Sequence, residues 1–89
     1  MLTLSEACDF LHIDRGANDI LVDTLIASTA AYIQTQTGLS PEEQLLIPLV
    51  KVAEKFLCYL WYYGESENTQ STQKALDGIL KTLSYVQKV

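Results

Sequence analysis

Few side chains in this sequence are of a type to do chemistry. They are one histidine, His12, two cysteines, Cys8 and Cys58, and the acidic pairs Glu42/Glu43 and Glu65/Glu67. His12 has no partner histidine and no cysteine at ligand spacing, so a metal site is not expected there. The position reads instead as a partly exposed histidine at a helix end. Cys58 would need a base and positive surroundings to act as a nucleophile. It falls mid-helix among aromatics, with Lys55 one turn back, which points to packing or an interface. Glu42 and Glu43 suit the positive end of a helix dipole, and Glu65 and Glu67 fall in a polar loop. Glycine-rich phosphate loops and Ser/His/Asp signatures are absent. The expectation is a protein that is not an enzyme, with no catalytic residue, no metal and no cofactor.

What the sequence offers instead is surface. The run "FLCYLWYYGE", from Phe56 to Glu65, crowds aromatics into the end of a helix. Cys58, Trp61 and Tyr62 fall on the side that carries Lys51, Glu54 and Lys55 further back. Two readings are open. The small fold can wrap this end completely, or Trp61 and Tyr62 can stay partly exposed until a neighbour covers them. Aromatics are enriched at interfaces because they bury much area at low entropic cost. The second reading makes Cys58, Trp61, Tyr62 and Glu65 the candidate interface.

The elements that must position these residues are helices. Thr3 with Glu6 forms a capping-box pattern, and Leu4, Ala7, Cys8 and Leu11 then make a short apolar face. "HIDRGAND" breaks it with turn residues. The next segment starts at Ala17 or Asn18 and ends at Gly38, a C′ glycine by position. Its apolar side is Leu21, Val22, Leu25, Ile26, Thr29, Tyr32 and Ile33, against Asp23, Thr24, Ser28, Gln34 and Thr35. Ser40, Pro41 and Glu43 open a third segment with a second capping box. Pro48 interrupts it, giving either a kink or a short helix followed by a long one to Tyr63.

On the long piece the expected stripe is Leu49, Val52, Ala53, Phe56, Tyr59, Leu60 and Tyr63. Gly64 stops it, a polar loop follows, and a last helix starts near Ser71 or Thr72. Its stripe is Leu76, Ile79, Leu80, Leu83 and Val86, with a fraying tail. No long period-two run argues for a strand. The fold class is all-α: one domain, a small bundle of about four helices (roughly 4–11, 18–37, 41–63 broken near Pro48, and 72–87) around a central long third helix.

Composition sets outer bounds. Eighty-nine residues suggest one domain with a modest core. Hydrophobic residues are 48% and charged residues 19% of the chain, which is ordinary for a globular domain. A net charge of −5, with six basic residues and no two adjacent, argues against gripping nucleic-acid phosphates. Two cysteines, fifty positions apart, fall short of a disulfide framework and read as small hydrophobes in a reducing compartment. The opening "MLTLSEACDFL" lacks the basic and apolar regions of a signal peptide. No run reaches the roughly 18–20 apolar residues of a membrane span.

The stretch "MLTLSEACDFLHIDRGANDILVDTLIASTAAYIQTQTG" resembles the opening of the small head–tail connector (head-completion or adaptor) proteins of tailed bacteriophages. The matching positions are Leu4, Glu6, Leu11, Asp14, Asp19, Leu25, Ile26, Ala30, Tyr32, Ile33, Thr37 and Gly38. The family's next helix matches Pro48, Lys51, Ala53, Leu57 or Leu60, and Tyr62, and its last matches Ala75, Leu76, Ile79 and Leu80. The family often continues with Glu-Asn-Arg after its tyrosine, where this chain has Tyr63, Gly64 and Glu65.

The resemblance implies a structural role in virion assembly. Members form a ring homo-oligomer under the portal protein, extend the DNA channel and dock the next tail-side stopper or completion protein. It also implies a place at the head–tail junction of the virion, after assembly in the host cytoplasm. DNA would pass without specific binding, as an acidic lumen repels it, and no membrane is involved. A ring needs heterologous contacts, and the aromatic end of the third helix against a neighbour's second or fourth helix would supply one. The other readings are a small acidic interaction module, such as a phage-encoded inhibitor of a host protein, and a DNA-binding helical domain. The last would need a basic recognition helix, which neither the second nor the fourth helix provides.

Overall fold

The computed structural model describes residues 2–64 and 69–86. Among them the chain is all-α, with five helices and no strand. They are α1 (Leu4–Leu11), α2 (Asp19–Thr37), α3 (Pro41–Gln44), α4 (Pro48–Tyr63) and α5 (Gln70–Val86).

Local chemistry explains most of the ends. Thr3 is extended; its Oγ1 accepts from the Glu6 N–H at 3.2 Å, and its own N–H donates to Glu6 Oε1 at 3.1 Å. Ser40 and Glu43 repeat the exchange at 3.2 and 3.0 Å, with Pro41 supplying the first helical φ without needing a donor. Each box satisfies donors that a helix start leaves bare. Gly38 closes α2 in the left-handed region at φ 80°, donating to the Gln34 carbonyl at 2.7 Å. His12 closes α1 at φ 59°, an exposed non-glycine residue in the same region, which costs a side-chain-bearing residue about 1 kcal/mol.

At Pro48 the chain splits rather than kinks. Leu45–Ile47 leave the helical path, and α4 restarts with Pro48 at its first turn. A proline inside a continuous helix would lack a hydrogen bond and clash with the preceding turn; at a helix start it does neither.

Helix α4 packs against α5, α2 and α1. One apolar cluster joins Ile33, Leu39, Val50, Ala53, Leu57, Leu76, Leu80 and Leu83 from α2, α4, α5 and the α2–α3 connection. A second joins Leu2, ahead of α1, with Ala7, Cys8, Leu11, Val22, Ile26 and Cys58 from α1, α2 and α4.

The inward face of α4 differs from the sequence expectation. Val50, Ala53, Glu54, Leu57 and Cys58 are buried, whereas Val52 and Tyr63 are exposed. Leu49, Phe56, Tyr59 and Leu60 are half-buried flanks. The true centre lies roughly a third of a turn from the expected stripe, at about 100° per residue. The sequence pattern could not fix it because apolar residues run nearly all round this helix. In α2 the buried line is Val22, Ile26, Thr29, Ile33 and Thr37. Leu21 and Tyr32, expected inside, lie on its exposed edge. In α5 Leu76, Leu80 and Leu83 are buried and Ile79 half-buried. The expected fraying tail beyond Val86, and the Val86 side chain, lie outside the described residues.

Candidate functional site: the aromatic end of α4

Trp61 lies at i+11 from Val50, i+7 from Glu54 and i+4 from Leu57, so it shares the inward face of α4. Its indole is nevertheless 37% exposed. The reason is position along the axis: Trp61 is in the last turn, where the neighbouring helices offer less cover. This corrects the expectation that Trp61 stands off the core stripe. Its ring meets Tyr32 of α2 edge to face, with centroids 5.6 Å apart, a favoured aromatic geometry. Tyr32 is itself 36% exposed. The pair forms one rim of a cleft of about 340 Å³, with Leu57, Leu60 and Leu76 in its walls.

Tyr62 has a different setting. It is half-buried against the second cluster, and Asn18 Nδ2 donates to its hydroxyl at 2.8 Å. That bond spans the start of α2 and the end of α4, so Tyr62 braces the fold. Tyr63 does similar work on the far side. Its ring contacts Tyr59 and Tyr62 at 4.9 Å each, and its hydroxyl donates to the Leu11 carbonyl at the end of α1. Phe10 of α1 reaches over to Phe56 at 5.8 Å and Tyr59 at 6.0 Å. Most of the aromatic run thus has partners within the monomer, while Trp61, Tyr63 and the Tyr32 ring that meets Trp61 remain partly exposed.

Cys58 is not available to a partner in this conformation. It is 0% exposed, enclosed with Cys8, Leu11, Val22 and Ile26. Burial, with a further push from the Glu54 carboxylate, raises its thiol to about 12. That is the reverse of what a nucleophilic cysteine needs. Burial raises the Cys8 thiol as well. Glu65, the fourth expected interface residue, lies outside the described residues, as does Glu67. His12 is exposed at the α1 terminus. Among the described residues no cluster of three or more His, Cys, Asp or Glu could hold a metal.

The residues missed at the sequence level are polar ones that turn inward. Glu54, expected on the wet side, is 3% exposed. Its Oε2 accepts from Thr29 Oγ1 at 3.1 Å, and Thr29 also contacts the Ile26 carbonyl at 2.6 Å. Gln44 is buried too, with Nε2 donating to the Ala30 and Leu39 carbonyls at 3.0 and 2.9 Å, which ties α3 to α2. A signal for Glu54 did exist: it is the one charge in the register Val50, Leu57, Trp61.

Nearer the surface, Lys51 Nζ pairs with Glu6 Oε2 at 3.1 Å, joining α4 to α1. The Glu6 carboxyl is lowered to about 2, first by the Thr3 backbone N–H and then by Lys51. No helix among the described residues is long and apolar enough to cross a membrane. A comparison of the chain with family models, with curated proteins and with solved structures finds no match.

Proposed function

We propose that this chain is a structural assembly subunit, a head–tail connector of the tailed-phage kind. It completes its surface against copies of itself in a ring under a portal protein, extends the DNA channel and docks the next tail-side protein. One observation carries the reading: the exposed Tyr32–Trp61 pair beside a cleft lined by Leu57, Leu60 and Leu76 together with Gln73. Large aromatics at the rim of a cleft are the side chains that dominate protein–protein contacts. The net charge of −5 fits a channel wall along which DNA slides without being held. In this reading the helices form a small bundle about α4, and the open end of α4 meets a different patch on the next subunit.

The test is electron microscopy and native mass spectrometry of the full chain, alone and with a portal protein. Rings are expected in at least one condition. Trp61→Ala should cut ring yield severely, by the roughly 2 kcal/mol typical of a central aromatic contact, while lowering the monomer's melting temperature less. Persistent monomers in both conditions, one-to-one pairing with an unrelated protein, or equal loss of folding and assembly in Trp61→Ala would overturn the proposal.

A further inference from the structure

Glu54 is an acidic side chain withdrawn from water that forms no ion pair among the described residues. Two ion pairs occur among the described residues, Lys51 with Glu6 and Arg15 with Asp19, and neither includes Glu54. The lysine one turn away on its own helix is therefore committed to α1. Oε2 accepts from Thr29; Oε1 takes no hydrogen bond within the described residues. No side-chain oxygen among them is both sealed from solvent and unpartnered. Oε1 therefore keeps contact with solvent, and Glu54 lines two cavities.

Two such cavities share Gln44, Leu45 and Glu54. The first, of about 180 Å³, is walled by Ala30, Pro41 and Leu45, with Glu42 also on its lining. The second, of about 330 Å³, extends along Leu46 and Pro48 to Lys51. The first is smaller than the roughly 300–1,000 Å³ of sites for drug-sized molecules. Its scale is that of one side chain. Its lining is mostly apolar and includes the acidic side chains Glu54 and Glu42. An aliphatic stem with a cationic head is the chemistry that fits: the stem loses water against Leu45 and Pro41, and the head neutralises Glu54.

We propose that the Glu54 cavity is a socket for the ammonium or guanidinium end of a basic side chain carried by a partner polypeptide. A partner chain, rather than a free amine, is favoured by the surroundings of the opening. Leu45 is 65% and Leu46 83% exposed, an apolar collar that the backbone around an inserted lysine or arginine would cover. The socket is lined by residues of α2, α3, the α3–α4 connection and α4, shares none with the Tyr32–Trp61 cleft, and does not depend on ring formation.

The full chain is titrated with n-butylammonium chloride at constant ionic strength, following the Leu45 and Leu46 methyl resonances by NMR. n-Butanol serves as the uncharged control, and a capped Ala-Lys-Ala peptide as the polypeptide arm. Saturable shifts at millimolar n-butylammonium are expected, with none from n-butanol. Glu54→Gln, which keeps the side-chain shape, should weaken binding at least about tenfold. Ala30→Leu, which fills the cavity and leaves the carboxylate in place, should abolish it, and this variant decides the matter if Glu54→Gln does not fold. Linear shifts without saturation, an equal response to n-butanol, or full affinity in either variant would overturn the socket. Binding of n-butylammonium without binding of the peptide would overturn the partner-chain assignment.

Discussion

Replacing Thr29 with valine tests whether the buried Thr29–Glu54 contact carries the weight the geometry gives it. Valine keeps the branched shape and removes the hydroxyl. Thr29 is 0% exposed, and the single proton of its Oγ1 is shared between the Ile26 carbonyl at 2.6 Å and Glu54 Oε2 at 3.1 Å, the one hydrogen-bond contact of the Glu54 side chain among the described residues. A buried acceptor stripped of its partner costs about 1–3 kcal/mol, with charged groups at the upper end, so Thr29→Val should lose about 2–3 kcal/mol. For a domain of this size each kcal/mol is worth about 4–8 °C of melting temperature, which gives a fall of about 8–24 °C. Thr29→Ser keeps the hydroxyl and loses one methyl, costing about 1 kcal/mol. The assay is urea unfolding of both variants with a common slope, alongside Glu54→Leu and the double variant Thr29→Val/Glu54→Leu. When both polar partners become apolar the penalty should largely vanish, leaving a coupling of about 1–2 kcal/mol in the cycle. Equal losses in the serine and valine variants, or an additive cycle, would refute the reasoning.

Other expectations follow from single contacts. Leu57, at 1% exposed in the larger cluster, should cost about 2–5 kcal/mol when truncated in Leu57→Ala, read from denaturant midpoints. The Glu6 carboxyl is lowered from 4.5 to about 2 by the Thr3 N–H and Lys51. A depressed carboxyl stabilises the fold above its unfolded value and loses that contribution as the pH falls through its folded one. The stability gap between wild type and Glu6→Gln should therefore be full above about pH 4.5 and close towards pH 2, and a pH-independent gap would contradict the pairing. Cys58, enclosed and with its thiol raised to about 12, should resist a disulfide-exchange reagent at pH 8 until the protein unfolds. Immediate labelling of the native chain would contradict its placement.

The helix ends were legible in the sequence because they are made locally. Thr3 with Glu6 and Ser40 with Glu43 exchange hydrogen bonds three residues apart, and Gly38 and Gly64 stop helices through their own backbone freedom. These signals need nothing distant in the chain. The apolar face of α1 was legible for a related reason: a short helix with one apolar side has one way to turn. The aromatic run at the end of α4 was visible as a surplus, but not its division of labour. The Tyr62 hydroxyl is engaged by Asn18 and the Tyr63 hydroxyl by Leu11, forty-four and fifty-two positions away, while Trp61 meets Tyr32 edge to face at the surface.

Only the tertiary structure decided which side of α4 faces inward. A helix apolar nearly all round has no preferred face until its neighbours arrive, and here α1, α2 and α5 arrive together. Their positions bury Val50, Leu57 and Cys58, take Glu54 and Thr29 inside with them, and leave Val52 out. The amino-acid order by itself set the helix ends that are capped locally, at Thr3, Gly38, Ser40 and Gly64, since capping acts over one turn; whether the chain kinks or splits at Pro48 was left to the tertiary structure. The burial of each face was set by contacts between residues far apart in the chain, since removal of surface from water depends on what covers it.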